Sequence, residues 1–232
     1  PRRFGKSLFL STLQYFFGGR RELFKGLYID SRNWDWVKYP VLRIDLNTER
    51  YAHPGLLDNV LDNLFRKWEA AYGVVANDNT YSQRFSNIIQ AAHEKTGRQV
   101  VILVDEYDKP LVGNLNKDEN LEHYREKLAT LYSNFKSSAS HIRLVFLTGV
   151  SRFSKLSVFS DLNNLKDITF SNEFADICGI TEEELVSDLK DGVKKLAQAN
   201  KTSVEKAYSD LKKNYDGYRL AEEGSDIYPP WS

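Results

Sequence analysis

Methionine is absent from the 232 residues, and cysteine is nearly so. A single cysteine, Cys178, excludes an internal disulfide and fits a reducing compartment such as the cytoplasm. An excess of one charge is also missing. The 32 Lys and Arg balance the 32 Asp and Glu, which excludes a surface built throughout to grip nucleic acid and leaves only a local basic patch open. Long apolar runs are lacking too. The longest aliphatic run, Val100-Val101-Ile102-Leu103-Val104, falls far short of the roughly 20 residues that cross a bilayer, so no membrane partner is expected. No stretch reads as a secretory signal. His53, His93, His123 and His141 are scattered without zinc-ligand spacing. With 41% apolar and 28% charged residues, the composition is that of a folded globular chain. The length allows one large domain or two small ones. The missing methionine, and first residues that read as the second half of a motif, imply a chain cut at both ends.

Hydrophobic spacing divides the chain into alternating elements. Leu8, Leu10, Leu13, Phe16 and Phe17 predict a helix over 6–17, ended by Gly18-Gly19. A basic, aromatic-rich stretch follows to Lys38, and its tryptophans and tyrosines either pack locally or stack on bases. Val41 to Leu46 predicts a short strand. Leu57, Leu61, Leu64, Phe65, Trp68 and Tyr72 share one face of a helix opened by Pro54. Asn77-Asp78-Asn79 predicts a turn, and a second helix through Phe85, Ile88 and Ala92 closes at Gly97. The unalternating run at 100–104 predicts a strand buried on both faces, typical of a parallel sheet covered by helices. An amphipathic helix over 120–136 and a second buried strand over 143–148 complete an α/β signature. Beyond residue 170 the pattern is helical. Thr181 and Glu184 form a capping box for a helix reaching about Asn200. Thr202 or Ser203 caps another through Tyr215. The expected domains are an α/β core over 1–170 and a helical subdomain over 171–232.

Three segments carry chemistry. Gly5-Lys6-Ser7 at a helix start has the residue types that a phosphate-binding loop needs. Glycine lets the backbone approach phosphate oxygens, Lys6 adds charge against the β- and γ-phosphates, and the Ser7 hydroxyl suits Mg²⁺. Arg2 and Arg3 lie beside this loop, facing phosphate, a neighbouring subunit or solvent. The aliphatic strand at 100–104 delivers Asp105-Glu106 at its carboxyl end, where open α/β sheets bind ligands. Such a pair divides the work: Asp105 for Mg²⁺ and Glu106 to polarise a water. The next strand ends in Thr148-Gly149, followed by Ser151-Arg152. Thr148 at that tip is a candidate sensor of the terminal phosphate, and Arg152 a candidate for stabilising transition-state charge. Asp108, Lys109 and Pro110 follow the acidic pair and are candidates to shape its loop, although Lys109 reads better as a plain surface residue. Cys178 lacks a histidine partner and reads as a core residue.

Taken in order, the blocks resemble the bacterial AAA-ATPase-like family. They are Pro1-Arg2-Arg3-Phe4-Gly5-Lys6-Ser7-Leu8, Val104-Asp105-Glu106-Tyr107-Asp108-Lys109-Pro110, Thr148-Gly149-Val150-Ser151-Arg152-Phe153-Ser154-Lys155, Asp161 to Thr169, and Tyr215-Asp216-Gly217-Tyr218. A proline stands in Tyr228-Pro229-Pro230-Trp231-Ser232 where that family usually has asparagine. The resemblance implies a P-loop NTPase-like three-layer fold, a mostly parallel sheet with helices on both faces, whose first strand precedes Pro1. It implies ATP and Mg²⁺ as ligands and a nuclease-like domain following this one. AAA-type proteins often form rings, so a homo-oligomer stays open. The site expected from motif and resemblance has Glu106, Thr148 and Arg152 as catalytic residues. Arg3, Phe4, Gly5, Lys6, Ser7 and Leu8 hold ATP, and Ser7 and Asp105 hold the metal. The expected function is Mg²⁺-dependent ATP hydrolysis that regulates the nuclease-like domain. The alternative is a nucleotide-dependent scaffold or switch without turnover. A nucleic-acid-binding module, resting on Arg20-Arg21 and the aromatic stretch, would need steeply salt-dependent binding. Without the strand that anchors the phosphate loop, the chain alone is expected to bind ATP poorly beside a version extended upstream.

Overall fold

The computed structural model describes residues 2–75, 80–116, 118–151, 165–215 and 217–230. The predicted turn at Asn77-Asp78-Asn79 lies outside them. The chain divides into two compact units, residues 10–165 and residues 1–9 with 166–232.

The larger unit is built on three parallel strands, β1 (Val41–Asp45), β2 (Val100–Asp105) and β3 (Ile142–Leu147), in the order β1-β2-β3. Helices α2 (Gly55–Tyr72) and α3 (Tyr81–Thr96) connect β1 to β2. Helices α4 (Lys109–Val112), α5 (Asp118–Tyr132) and α6 (Asn134–Ser137) connect β2 to β3. Helix α1 (Lys6–Phe17) precedes them all. Side chains alternate across the strands. Leu42, Ile44, Val100, Ile102 and Val104 face a core with Leu57, Leu61, Phe65, Phe85, Ile88, Leu128 and Tyr132 of α2, α3 and α5. Val101 and Leu103 face the other way, onto Leu10 and Phe17 of α1. The sheet is therefore covered by helices on both faces, as the unalternating run in β2 requires. All six residues of β2 are buried.

Two expectations meet their limits here. β3 has the same aliphatic character as β2 but is half-buried, with Arg143 exposed. Among the described residues it pairs with β2 alone, whereas β2 has a partner on each side. The helix expected over 120–136 breaks at Ser133. The Ser133 hydroxyl donates to the Thr130 carbonyl at 2.7 Å and the Asn134 amide to the Leu131 carbonyl at 3.0 Å. These side chains take carbonyls that a continuing helix would use. Helix α3 ends on Gly97 as expected, and α2 ends on Gly73, both glycines left-handed. The aromatic stretch packs locally: Trp34 and Trp36 stand 5.0 and 5.4 Å from the Phe16 ring.

In the smaller unit, β4 (Ile180–Thr181) pairs antiparallel with β5 (Ile227–Tyr228) beside α7 (Glu182–Ser187), α8 (Lys190–Ala199) and α9 (Val204–Tyr215). The Thr181–Glu184 capping box is formed. The helix it opens stops at Ser187, where the Asp188 and Leu189 amides both donate to the Glu184 carbonyl at 2.9 and 3.1 Å, and restarts at Lys190. Ser203 caps α9 by accepting from the Lys206 amide at 3.1 Å. Leu185, Val193, Ala197, Ala207 and Tyr228 form the core of this unit.

Candidate functional site

At the carboxyl ends of the parallel strands, three segments converge in the larger unit. Asp105 closes β2 and is 2% exposed. Thr148, just beyond β3, donates its hydroxyl to Asp105 Oδ1 at 2.6 Å. The Thr148 amide donates to the Val104 carbonyl at 2.8 Å, and its own carbonyl accepts from the Tyr107 amide at 2.9 Å. These bonds lock the two strand ends together. Asp45, at the end of β1, pairs with Asp105 in the sheet register, which puts a second carboxylate at this edge. The Asp45 side chain accepts from the Asn47 amide at 2.9 Å.

Glu106 sits at the turn out of β2 with φ at +54°. A residue with a β-carbon rarely adopts this left-handed conformation, and holding it stores strain of order 1–3 kcal/mol. Such strain collects at functional sites. The turn is secured from both sides. The Lys109 amide donates to the Glu106 carbonyl at 2.9 Å. Asp108, fully buried, accepts from the Val150 amide at 3.1 Å and the Ser151 amide at 2.5 Å. The Tyr107 hydroxyl donates to the Ser151 carbonyl at 2.7 Å. Asp108 and Tyr107 thus grip the 149–151 segment and fix where Thr148 points. Gly149 is required by this close approach. A β-carbon there would lie 2.6 Å from Asp108 Oδ1 and 2.6 Å from Tyr107 Cε1. Gly149→Val is expected to destabilise the protein by about 1–3 kcal/mol through overpacking, read as a lowered midpoint in urea. An unchanged midpoint would show that the segment relaxes freely.

Arg43, from the middle of β1, also reaches the acidic pair. Its Nη2 lies 3.5 Å from Asp105 Oδ2, while Nη1 donates to Ser11 Oγ at 2.9 Å and Gln14 Oε1 at 3.1 Å. Sequence reasoning passed over Arg43 and Asp45. The signal was there: a strand reading Val41-Leu42-Arg43-Ile44-Asp45 carries two charges where packing alone would take none.

The glycine-lysine-serine segment belongs to the smaller unit. Helix α1 begins at Lys6 and has no acidic residue in its first turn, so the positive end of its dipole is uncompensated within the helix. Gly5 has φ at +85° and Arg3 at +72°. Phe4 is buried, its ring edge-on to Tyr218 at 5.0 Å, and its carbonyl accepts from the Gly179 amide at 2.9 Å. Arg3, Ser7 and Leu8 are exposed, while Gly5 and Lys6 are half-buried. Tyr218, from the last motif block, therefore serves to seat the loop. Burial pushes the half-buried Cys178 thiol up, opposed by the charge of Lys6. Arg152 lies outside the described residues.

The larger unit is thus a parallel α/β sheet with Asp105, Glu106 and Thr148 at its carboxyl edge. The chain belongs to the family described as Predicted AAA-ATPase, whose model matches residues 1–159. It is similar to a protein of Azotobacter chroococcum mcd 1 described as "Uncharacterized protein in vnfD 5'region". The two are 43% identical over 186 residues, which is 80% of this chain and 36% of that protein. The chain thus spans little more than a third of that relative's length. No solved structure matches it significantly. Among the described residues no helix is long and apolar enough to cross a membrane.

Proposed function

We propose that this chain is an AAA-type module that binds ATP and hydrolyses it with Mg²⁺, on a P-loop form of the three-layer fold. The observation that carries the reading is the Asp105-Glu106 pair at the carboxyl end of β2, with Thr148 of the neighbouring strand bonded to Asp105. Membership of the AAA-ATPase-like family supports it.

The donor chemistry fits Mg²⁺. Asp105 offers hard carboxylate oxygens, and among the described residues no group of three or more His, Cys, Asp or Glu stands ready to hold a metal by itself. Mg²⁺ is usually held by one or two carboxylates, with phosphates and waters completing its shell. When bound with ATP, Mg²⁺ neutralises charge on the phosphates. Asp105 and the Ser7 hydroxyl are the residues assigned to it. Lys6 holds the β- and γ-phosphates, and amides of the 3–8 segment around Gly5 cradle them. Glu106 polarises the attacking water and accepts its proton. Thr148 orients Asp105 and reports on the terminal phosphate, and Arg152 supplies positive charge to the transition state.

A second reading is binding without turnover, as a switch. The observation favouring it is Arg43, which stands against the same carboxylate a metal would use. ATP turnover by the full-length protein separates the two: it is expected to be Mg²⁺-dependent and lost in Lys6→Ala. We further propose that the module acts in the cytoplasm and regulates an attached nuclease-like domain, as its family resemblance implies. ATP-dependent change in nuclease activity of the full-length protein tests this, and equal activity with and without ATP would count against it.

A further inference from the structure

We infer that Arg43 is a positioning residue that compensates the Asp105 carboxylate before metal arrives, and so sets the Mg²⁺ concentration the site requires. This rests on the reading of Asp105 as the metal acid.

Asp105 is 2% exposed and ends a strand buried along its whole length. A carboxylate so placed is costly unless a cation or several donors compensate it. Thr148 donates to Oδ1. Arg43 stands at Oδ2 at 3.5 Å, and this is the ion pair that Asp105 makes among the described residues. The contact is longer than the roughly 2.7–2.9 Å of a charge-assisted hydrogen bond. The tighter contacts of the guanidinium run the other way, to Ser11 Oγ at 2.9 Å and Gln14 Oε1 at 3.1 Å on α1. Its Nε is buried without a partner among the described residues. Arg43 is thus anchored by α1 and leans on the acid, free of any bond that would fix it there.

Mg²⁺ would bring a second cation to the same carboxylate. In a site of reduced dielectric the two positive charges repel, and part of the metal's attraction to Asp105 is spent against Arg43. Ser11 and Gln14 would hold the guanidinium in place if Asp105 took a metal. A plain strut tying β1 to α1 would show the same contacts, but removing it would alter stability and leave metal dependence alone.

Titration of Mg²⁺ against binding of trinitrophenyl-ATP to the full-length protein separates these. In Arg43→Gln the half-saturating Mg²⁺ is expected to fall by about threefold to tenfold, as one competing charge is removed. Gln14→Glu is expected to move it in the same direction. That substitution is isosteric and half-exposed, so it preserves the fold, and its new carboxylate draws the guanidinium off Asp105. Gln14→Glu alone decides the matter where Arg43→Gln fails to fold. Asp105→Asn is the control for the underlying reading and is expected to weaken the Mg²⁺ dependence. Half-saturating Mg²⁺ that is unchanged or raised in the Arg43 and Gln14 variants, with the dependence weakened in Asp105→Asn, would overturn the role of Arg43 and leave Asp105 as the metal acid. Unaltered Mg²⁺ dependence in Asp105→Asn would overturn both.

Discussion

Glu106→Gln is expected to lower Mg²⁺-dependent ATP turnover by about 10²–10⁴-fold, the range a positioned general base contributes, with nucleotide binding retained. The substitution keeps the size of the side chain and its capacity to hydrogen-bond a water, but removes the carboxylate proposed to take the proton. The backbone argues that the position is specialised. Glu106 holds a left-handed conformation, secured by the Lys109 amide on its own carbonyl and by the grip of Asp108 on Val150 and Ser151. Glu106→Gly therefore separates two roles. It is expected to relieve the backbone strain and stabilise the fold, and to lower turnover as Glu106→Gln does. Single-turnover ATP hydrolysis, read beside equilibrium nucleotide binding, checks both variants. Turnover unchanged in Glu106→Gln would remove the general-base assignment.

Arg84→Met is expected to cost about 3–5 kcal/mol of stability, because it strands a buried carboxylate. Glu69 on α2 is 3% exposed and is held by Arg84 Nε at 2.7 Å and Nη2 at 2.9 Å. Arg84 Nη1 donates to Asp62 Oδ1 at 2.7 Å, and the guanidinium lies 5.4 Å from the centre of the Phe65 ring. One side chain of α3 thus compensates two acids of α2 and stacks on its core. Hydrogen bonds from Arg84 first, and from Arg66, hold the Asp62 carboxyl below its ordinary value. A depressed carboxylate adds stability that is present at neutral pH and lost as pH falls through its folded-state value. The difference between parent and Arg84→Met should therefore shrink in acid, below the usual carboxylate range. Urea denaturation at neutral and at acid pH measures this. A loss well under 1 kcal/mol at neutral pH, the worth of an ordinary exposed pair, would show that Glu69 finds water instead.

Local pattern makes most of the frame legible in the sequence. The run at Val100 to Val104 is apolar at every position, which only a strand covered on both faces can use, and β2 is that strand. Leu57, Leu61 and Phe65 recur at helical spacing and Gly73 stops their helix. Thr181 with Glu184 marks a helix start that the structure forms. Apolarity alone does not report how many neighbours a strand has, so β3 was indistinguishable from β2. The break after Tyr132 accompanies hydroxyl and amide side chains that compete for carbonyls and a tertiary contact of Asn134 with Ser82, neither of which apolar spacing reports. Motif spacing picked out Asp105, Glu106 and Thr148. It was silent on the left-handed turn at Glu106, on the grip of Asp108 across 42 residues, and on the reach of Arg43 from β1 to Asp105. Those depend on which segments the sheet brings together.

The most direct measurement is ATP turnover by the full-length protein with and without Mg²⁺, beside Lys6→Ala and Glu106→Gln. The account predicts turnover that needs Mg²⁺ and is lost in both variants, with ATP still bound by Glu106→Gln. Nucleotide bound by the parent protein and never hydrolysed would contradict it, and would leave Glu106 a strand-end acid with no catalytic part.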